Sequence, residues 1–380
     1  MKRTIVLLVV CSLSAAAQSP QVFAVGLQRP IRLLFTPQGS LLVSEGGNAT
    51  PNTGRVSILD SGGNRRSLLE GLPSGPAHFT TPFGPTSMAL DGSTLYLLLG
   101  EGDVMAGTPP NYGINPRGPS SPIFSSVLKV RFSQEIDLIP NGFTLTLDDH
   151  WRLFDGFDVE LKNQPGDRAS VHLLTKFRPL VRDPAGISPV FVRPSDPYAV
   201  VLSPAGKSLY VVDASSETVV KVDTETGHSQ LVVRFPSYVR RLADGSTLRV
   251  DNVPSGICWS GEELLVSFLS GAPYPPGEAS IRSVNRATGE VTPFISGLTA
   301  AIDVLCSKGP SGGRYYTLEQ TQDISRGAVP SGRLRVYDGS GSRTLASQLT
   351  LPTGMAQDPV SGDIFVAGYF TGQIVRVRVE

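Results

Sequence analysis

Apolar residues in this chain come as pairs of short runs. Residues Pro197 to Asp213, PYAVVLSPAGKSLYVVD, hold an apolar strand from Tyr198 to Leu202, a Pro-Ala-Gly turn, and a second strand from Ser208 to Val212 that stops at an acid. Runs of this length, bounded by glycine- and proline-containing turns, predict a β-hairpin. The same order recurs at Pro30 to Glu45, Pro85 to Leu99, Pro254 to Phe268, Ile302 to Glu319 and Pro352 to Gly368. Repetition of one supersecondary unit predicts an array or a propeller.

A third alternating run follows each hairpin: Arg55 to Leu59, Ser126 to Val130, Thr218 to Val222, Ser280 to Val284, Arg333 to Tyr337 and Ile374 to Val379. Several of these end in polar, glycine-bearing turns such as DSGGN at Asp60 and NRATGE at Asn285, and a shorter fourth strand comes next. Glycine supplies the positive φ these turns need, and Asp or Asn tolerates it. Four antiparallel strands make one propeller blade, so the fold class is all-β, a six-bladed β-propeller. The last repeat runs out after three strands, while Gln21 to Val25 stands at the N-terminus without a partner. That segment is expected to complete the last blade and close the ring, which removes the raw edge between first and last blades.

One interval breaks the spacing. Pro85 and Pro197 lie about twice as far apart as the other copies, room for either a seventh blade or an insertion after the second blade. The stretch DHWRLFDGFDVELKN, 149–163, reads as a short helix capped by Asp148 or Asp149, with Trp151, Phe154, Phe157 and Leu161 at helical spacing. A helical insertion over about 148–195 is the better reading, because Val171 to Val192 lacks the hairpin signature.

Composition supports strands and turns: 40 glycines and 31 prolines leave little room for long helices. The first residues, MKRTIVLLVVCSLSAAAQ, show a basic start, an apolar run and a small-residue site, the pattern of a secretory signal cleaved after Ala17. The mature chain is then expected to be secreted or periplasmic and monomeric. With 33 basic and 33 acidic residues there is no charge excess to suit nucleic acid or an anionic membrane. After export two cysteines remain, Cys258 and Cys306. They sit one step out of register in neighbouring repeats, which argues for side chains on opposite faces and two buried thiols, against a disulfide that an oxidising compartment would permit.

Candidate chemistry is sparse. The loops after the second strands share one rim of the channel, and four are long: 46–53, 100–125, 269–278 and 320–331. Loops on a rigid scaffold are where binding residues gather. Glu45, Asp213 and Glu319 occupy one register there, in the first, third and fifth repeats, with Asp196 and Asp303 facing the same rim. Hard oxygen ligands converging on a channel suit Ca²⁺ or another divalent cation. The same acids equally suit caps for the following turns or ion pairs with an arginine such as Arg32. His78, His150, His172 and His228 show no metal-ligand spacing, and no nucleophile-elbow, zincin or phosphate-loop motif is present.

DPYAVVLSPAGKSLYVVDASSETVVKVD, LFDGFDVELKNQPGD, SFLSGAPYPPGEASIRSVN and the opening VFAVGLQRPIRLLFTPQGSLLVSEGG resemble the ScyD/ScyE family of exported bacterial propellers related to NHL repeats. The resemblance spans nearly the whole mature chain and implies a six-bladed secreted or periplasmic propeller, without bringing an assigned reaction or catalytic residues. Ala199 stands where the family often has Gly, and the loop after the first acid is shorter than usual. The expected function is a binding or accessory protein that holds a small molecule, glycan or secreted protein at the loop-rich face. The alternative is a divalent-metal-dependent hydrolase of lactonase or gluconolactonase type.

Overall fold

The computed structural model describes residues 19–77, 82–107, 113–164, 166–182, 192–241, 244–271, 274–309, 312–323 and 330–379. The expected leader, residues 1–17, and His78 lie outside them. The chain forms a six-bladed β-propeller whose blades are antiparallel sheets of four strands, two of them extended to five. In chain order the innermost strands are Pro30–Phe35, Pro85–Asp91, Pro197–Leu202, Pro254–Ser260, Ala301–Gly309 and Pro352–Gln357. Gln21–Ala24 pairs antiparallel with Gln373–Val377 and supplies the fourth strand of the last blade, so the first and last described strands lie in one sheet.

Alternation along each strand gives every blade two apolar faces, and these can be buried only against neighbouring blades. The core accordingly divides into clusters at the blade interfaces. Leu42, Leu69, Leu97 and Leu128 pack between the first and second blades, and Tyr316, Leu334, Val366 and Val377 between the fifth and sixth. The closing interface seats Ala24, Leu27, Val43 and Phe365.

The expected helix is shorter and placed earlier than its apolar spacing suggests. It runs Leu147–Phe154 and is capped by Thr146, whose hydroxyl accepts from the Asp149 amide while the Asp149 carboxylate accepts from the Thr146 amide. Its buried side chains are His150 and Leu153, whereas Trp151, Phe154 and Phe157 are exposed. Gly156, at φ 87°, turns the chain out of the helix, and Leu161 falls on a strand, Val159–Lys162. The segment 133–167 leaves after the third strand of the second blade and returns as that blade's fourth strand, Arg168–Lys176. On the way Phe143–Thr144 pairs parallel with Arg65–Leu72, and Val159–Lys162 pairs with Arg168–Lys176, so one insertion covers the outer edges of two adjacent blades.

Cys258 and Cys306 form a disulfide between the fourth and fifth blades, with Cα atoms 5.7 Å apart. This corrects the expectation of two thiols. Cys258 does align with Leu305, since Gly256 and Asp303 hold equivalent places after the bulge in each innermost strand. Blades in a ring, however, meet through opposite faces: one face of the fourth blade looks at the reverse face of the fifth. A single step of register is therefore what lets two neighbouring cysteines face each other.

Candidate functional site

The innermost strands share a local device. In all six the ladder shifts register at the second residue, between Pro30 and Arg32, Pro85 and Ser87, Pro197 and Ala199, Pro254 and Gly256, Ala301 and Asp303, and Pro352 and Gly354. A bulge of this kind re-aims one side chain out of the regular alternation. Alternate blades use the re-aimed residue as a stitch. Thr86 donates its hydroxyl to the Pro197 carbonyl at 2.6 Å, Ser255 to Ala301 at 2.9 Å, and Thr353 to Pro30 at 3.0 Å. The second, fourth and sixth blades are thus each tied to the next.

The first, third and fifth blades carry the acids in the same ring. Glu45 is fully buried; it accepts from the Gln28 amide at 2.5 Å and is gripped by Arg55 through Nε at 2.9 Å and Nη2 at 2.7 Å. Glu319 is built alike, accepting from the Thr299 amide at 2.8 Å and held by Arg333 through Nε and through Nη2 at 3.0 Å. Asp213 has no arginine. It accepts from the Ser195 hydroxyl at 2.5 Å and from the Asp196 and Ser216 amides at 3.1 and 2.8 Å, and burial pushes its carboxyl above the usual range. Each acid therefore caps the turn that leads into its own blade. They are not brought together, and among the described residues no three His, Cys, Asp or Glu side chains form a group able to hold a metal ion. Their oxygens are engaged by amide, hydroxyl and guanidinium donors of the same blades.

At the next residue of the innermost strands an ion pair joins two blades. Arg32, on the innermost strand of the first blade, reaches Asp303 of the fifth at 2.6 Å, and both are more than nine-tenths buried. Its guanidinium also donates to the Ser255 carbonyl in the fourth blade and lies 5.1 Å above the Tyr198 ring of the third. Asp303 accepts from the Met355 amide of the sixth blade at 3.0 Å, and burial raises its carboxyl despite the arginine beside it. The geometry depends on small neighbours at the same level. A Cβ on Gly256 would stand 2.5 Å from Asp303 Oδ1, and one on Gly354 would meet the Arg32 side chain at 3.1 Å. Asp196 stays at the rim, donating its amide to Asp213 and accepting from Ala214 at 2.8 Å.

Two histidines find plain structural roles. His150 is buried between the Ser121 hydroxyl and the Gly71 carbonyl, and burial pulls it down to about 4; His172 pairs with Asp158 at the surface. A group that the hairpin pattern did not single out lies further along the rim. Glu217, at φ 57° in the turn after Asp213, is 1% exposed, with Arg193 at 3.7 Å and neither carboxylate oxygen hydrogen-bonded. Burial first, then the charge of Asp251, pushes it up to about 8. Nothing in the sequence marks this position, because its left-handed φ falls on Glu rather than on the Gly or Asn that signal such a turn.

No family model matches the chain, and no curated protein matches it significantly. Solved structures do resemble it. A proposed glucose dehydrogenase from Thermus thermophilus superposes with a TM-score of 0.51 at 12% identity, covering 94% of this chain and 99% of that one. The aldose sugar dehydrogenase of Streptomyces coelicolor, in its PQQ-bound form, gives 0.50 at 12% identity over 96% and 98%. A proposed 6-phosphogluconolactonase from Bacteroides uniformis gives 0.46 at 13% over 94% and 84%. At such identities the likeness is one of fold alone, that of a β-propeller.

Proposed function

We propose that this chain is an exported binding propeller, of the kind its ScyD/ScyE resemblance implies, which holds a small molecule, glycan or secreted protein on its loop-rich rim and acts as a monomer. The observation that carries this reading is the commitment of Glu45, Asp213 and Glu319 to donors of their own blades, with Arg32 and Asp303 paired to each other. The rim, by contrast, is enlarged. Besides the loops between second and third strands it bears small hairpins inserted between blades, Gly75–Pro76 with Pro82–Phe83, Leu180–Arg182 with Val192–Pro194, and Tyr238–Arg241 with Thr247–Val250. Among the described residues no helix is long and apolar enough to cross a membrane.

A second reading, a hydrolase of lactonase or gluconolactonase type, draws on Glu217: a buried carboxyl pushed up to about 8 beside another carboxylate has the proton inventory of a general acid. Metal analysis of the purified protein by mass spectrometry, with a panel of sugar lactones assayed in added Ca²⁺, Mg²⁺, Mn²⁺ and Zn²⁺, separates the two. The binding reading expects substoichiometric metal and background hydrolysis. A full equivalent of ion lost on Glu45→Gln and Glu319→Gln without unfolding, or lactone turnover lost on Glu217→Gln, would replace it with the hydrolase.

A further inference from the structure

The loop-rich rim holds a cleft with a built set of polar groups. It lies beside the fourth blade, between the Tyr238–Arg241 hairpin and the outer strands Ala279–Asn285 and Val291–Leu298, and has a volume of about 540 Å³. That is in the range of sites that enclose small ligands, roughly 300–1,000 Å³. Arg282 forms its inner wall. The guanidinium stacks 4.3 Å over the Phe268 ring, its Nη2 donates to Asn252 Oδ1 at 2.8 Å, and its Nε donates to the Ser280 hydroxyl at 3.3 Å. Asn252 is itself pinned to the Pro236 carbonyl at 2.6 Å. The cation is thus fixed in direction by a second layer of contacts, and none of the groups holding it is an anion.

Across the cleft Tyr238 donates its hydroxyl to Glu278 at 2.7 Å, and Arg240 holds the other oxygen of the same carboxylate. Burial and Glu278 push the phenol up to about 12, so it remains a neutral hydroxyl, while burial pulls the Arg282 guanidinium down. Val291 and Pro293 supply an apolar wall. The surrounding charge is mixed, with arginines in excess over acids. Formal charge balances over the whole chain, yet this sector gathers Arg234, Arg240, Arg241, Arg249 and Arg282 against Asp244, Asp251 and Glu278.

We propose that this cleft binds a hydroxylated carboxylate of monosaccharide size, a sugar acid, with its carboxylate on Arg282, its hydroxyls on Tyr238 and Glu278, and its C–H face on Val291 and Pro293. A half-desolvated guanidinium with no carboxylate salt bridge among the described residues gains most from a carboxylate, which it can meet in the plane of the fork. With the phenol proton given to Glu278, the pair offers the lone pairs of the Tyr238 oxygen and of the carboxylate as acceptors for sugar hydroxyls, which a simple inorganic anion would leave unused. This inference rests on the binding reading of the rim but is tested apart from it.

Isothermal titration of the intact protein with D-glucuronate, D-galacturonate and D-glucose is the test. At least one uronate is expected to bind about tenfold or more tightly than glucose, the difference one charge-assisted contact supplies. Arg282→Gln is expected to bring the uronate down to the level of glucose, and Tyr238→Phe to weaken both sugars severalfold. If Arg282→Gln disturbs folding, raising the salt concentration on the intact protein replaces it: uronate affinity should fall and glucose affinity hold. Equal affinity for uronate and glucose, no binding of either uronate, or uronate affinity unchanged in a folded Arg282→Gln protein overturns the proposal. The metal and lactone assays would stand whichever way this falls.

Discussion

Glu217 shows how one side chain can set the acid-base behaviour of a sector. It faces Asp251, which raises it, and Arg193, Arg234 and Arg249, which lower it, with burial the largest influence. The folded protein keeps this proton up to about pH 8, whereas the unfolded chain loses it near the ordinary value of 4.5. Between those limits the folded state binds more protons, so stability falls as pH rises, by at most about 1.4 kcal/mol per unit. Urea unfolding of the wild type is expected to weaken from pH 5 to pH 8, and Glu217→Gln, which never ionises, to flatten that decline and gain stability at pH 8. Parallel wild-type and variant pH profiles would show that the carboxyl is not held protonated. The positive φ at this position is unchanged in Gln, so the comparison isolates the charge.

Among the elements, the N-terminal strand was the most legible in advance, because a three-stranded last repeat and an orphan first strand leave one solution that closes the ring. Phe23 makes the closure energetic as well as topological. Its ring meets Phe365 edge-on at 4.8 Å, and its carbonyl packs against Gly63 of the first blade, where a Cβ would come within 2.3 Å. Phe23→Ala is expected to cost about 2 kcal/mol, less than the roughly 3–5 kcal/mol of a fully buried large aromatic because the ring is half-buried. Its urea midpoint should drop accordingly, with Phe23→Leu between; an unchanged midpoint would mean the strand docks without stabilising the ring. The helix was less legible. Four aromatic and aliphatic residues at 3.6-residue spacing suggested one long amphipathic face, but Gly156 and the alternating VELK divide that stretch into a two-turn helix and an edge strand. Periodicity over so short a window does not distinguish the two. The disulfide was missed for a different reason: register within a sheet was read correctly, while the inversion of faces between sheets was not applied.

At the scale of the whole molecule, the alternation of acids in the first, third and fifth repeats was visible in the sequence, but what it serves was not. The structure interleaves it with hydroxyl stitches in the second, fourth and sixth, so that the ring is held by two sets of three contacts, one within blades and one between them. The ion pair could have been found by reading down the third residue of each aligned repeat: Arg32, Ser87, Ala199, Gly256, Asp303 and Gly354 are one cation, one anion and four small residues. Repeat alignment shows that Arg32 and Asp303 share a level. Only closure into a ring shows that they reach each other, since more than 250 residues of chain separate them. Because Arg32 touches the third, fourth and fifth blades from the first, its loss acts on the assembly rather than on one sheet. Removing one partner of a buried pair strands the other charge, a cost of about 3–5 kcal/mol. Arg32→Met and Asp303→Asn are each expected to fall in that range by urea unfolding, and the double variant to lose clearly less than the two together, since it leaves no buried charge behind. Additive losses, or an Arg32→Met protein as stable as the wild type, would mean that the pair is buried without holding the blades to one another.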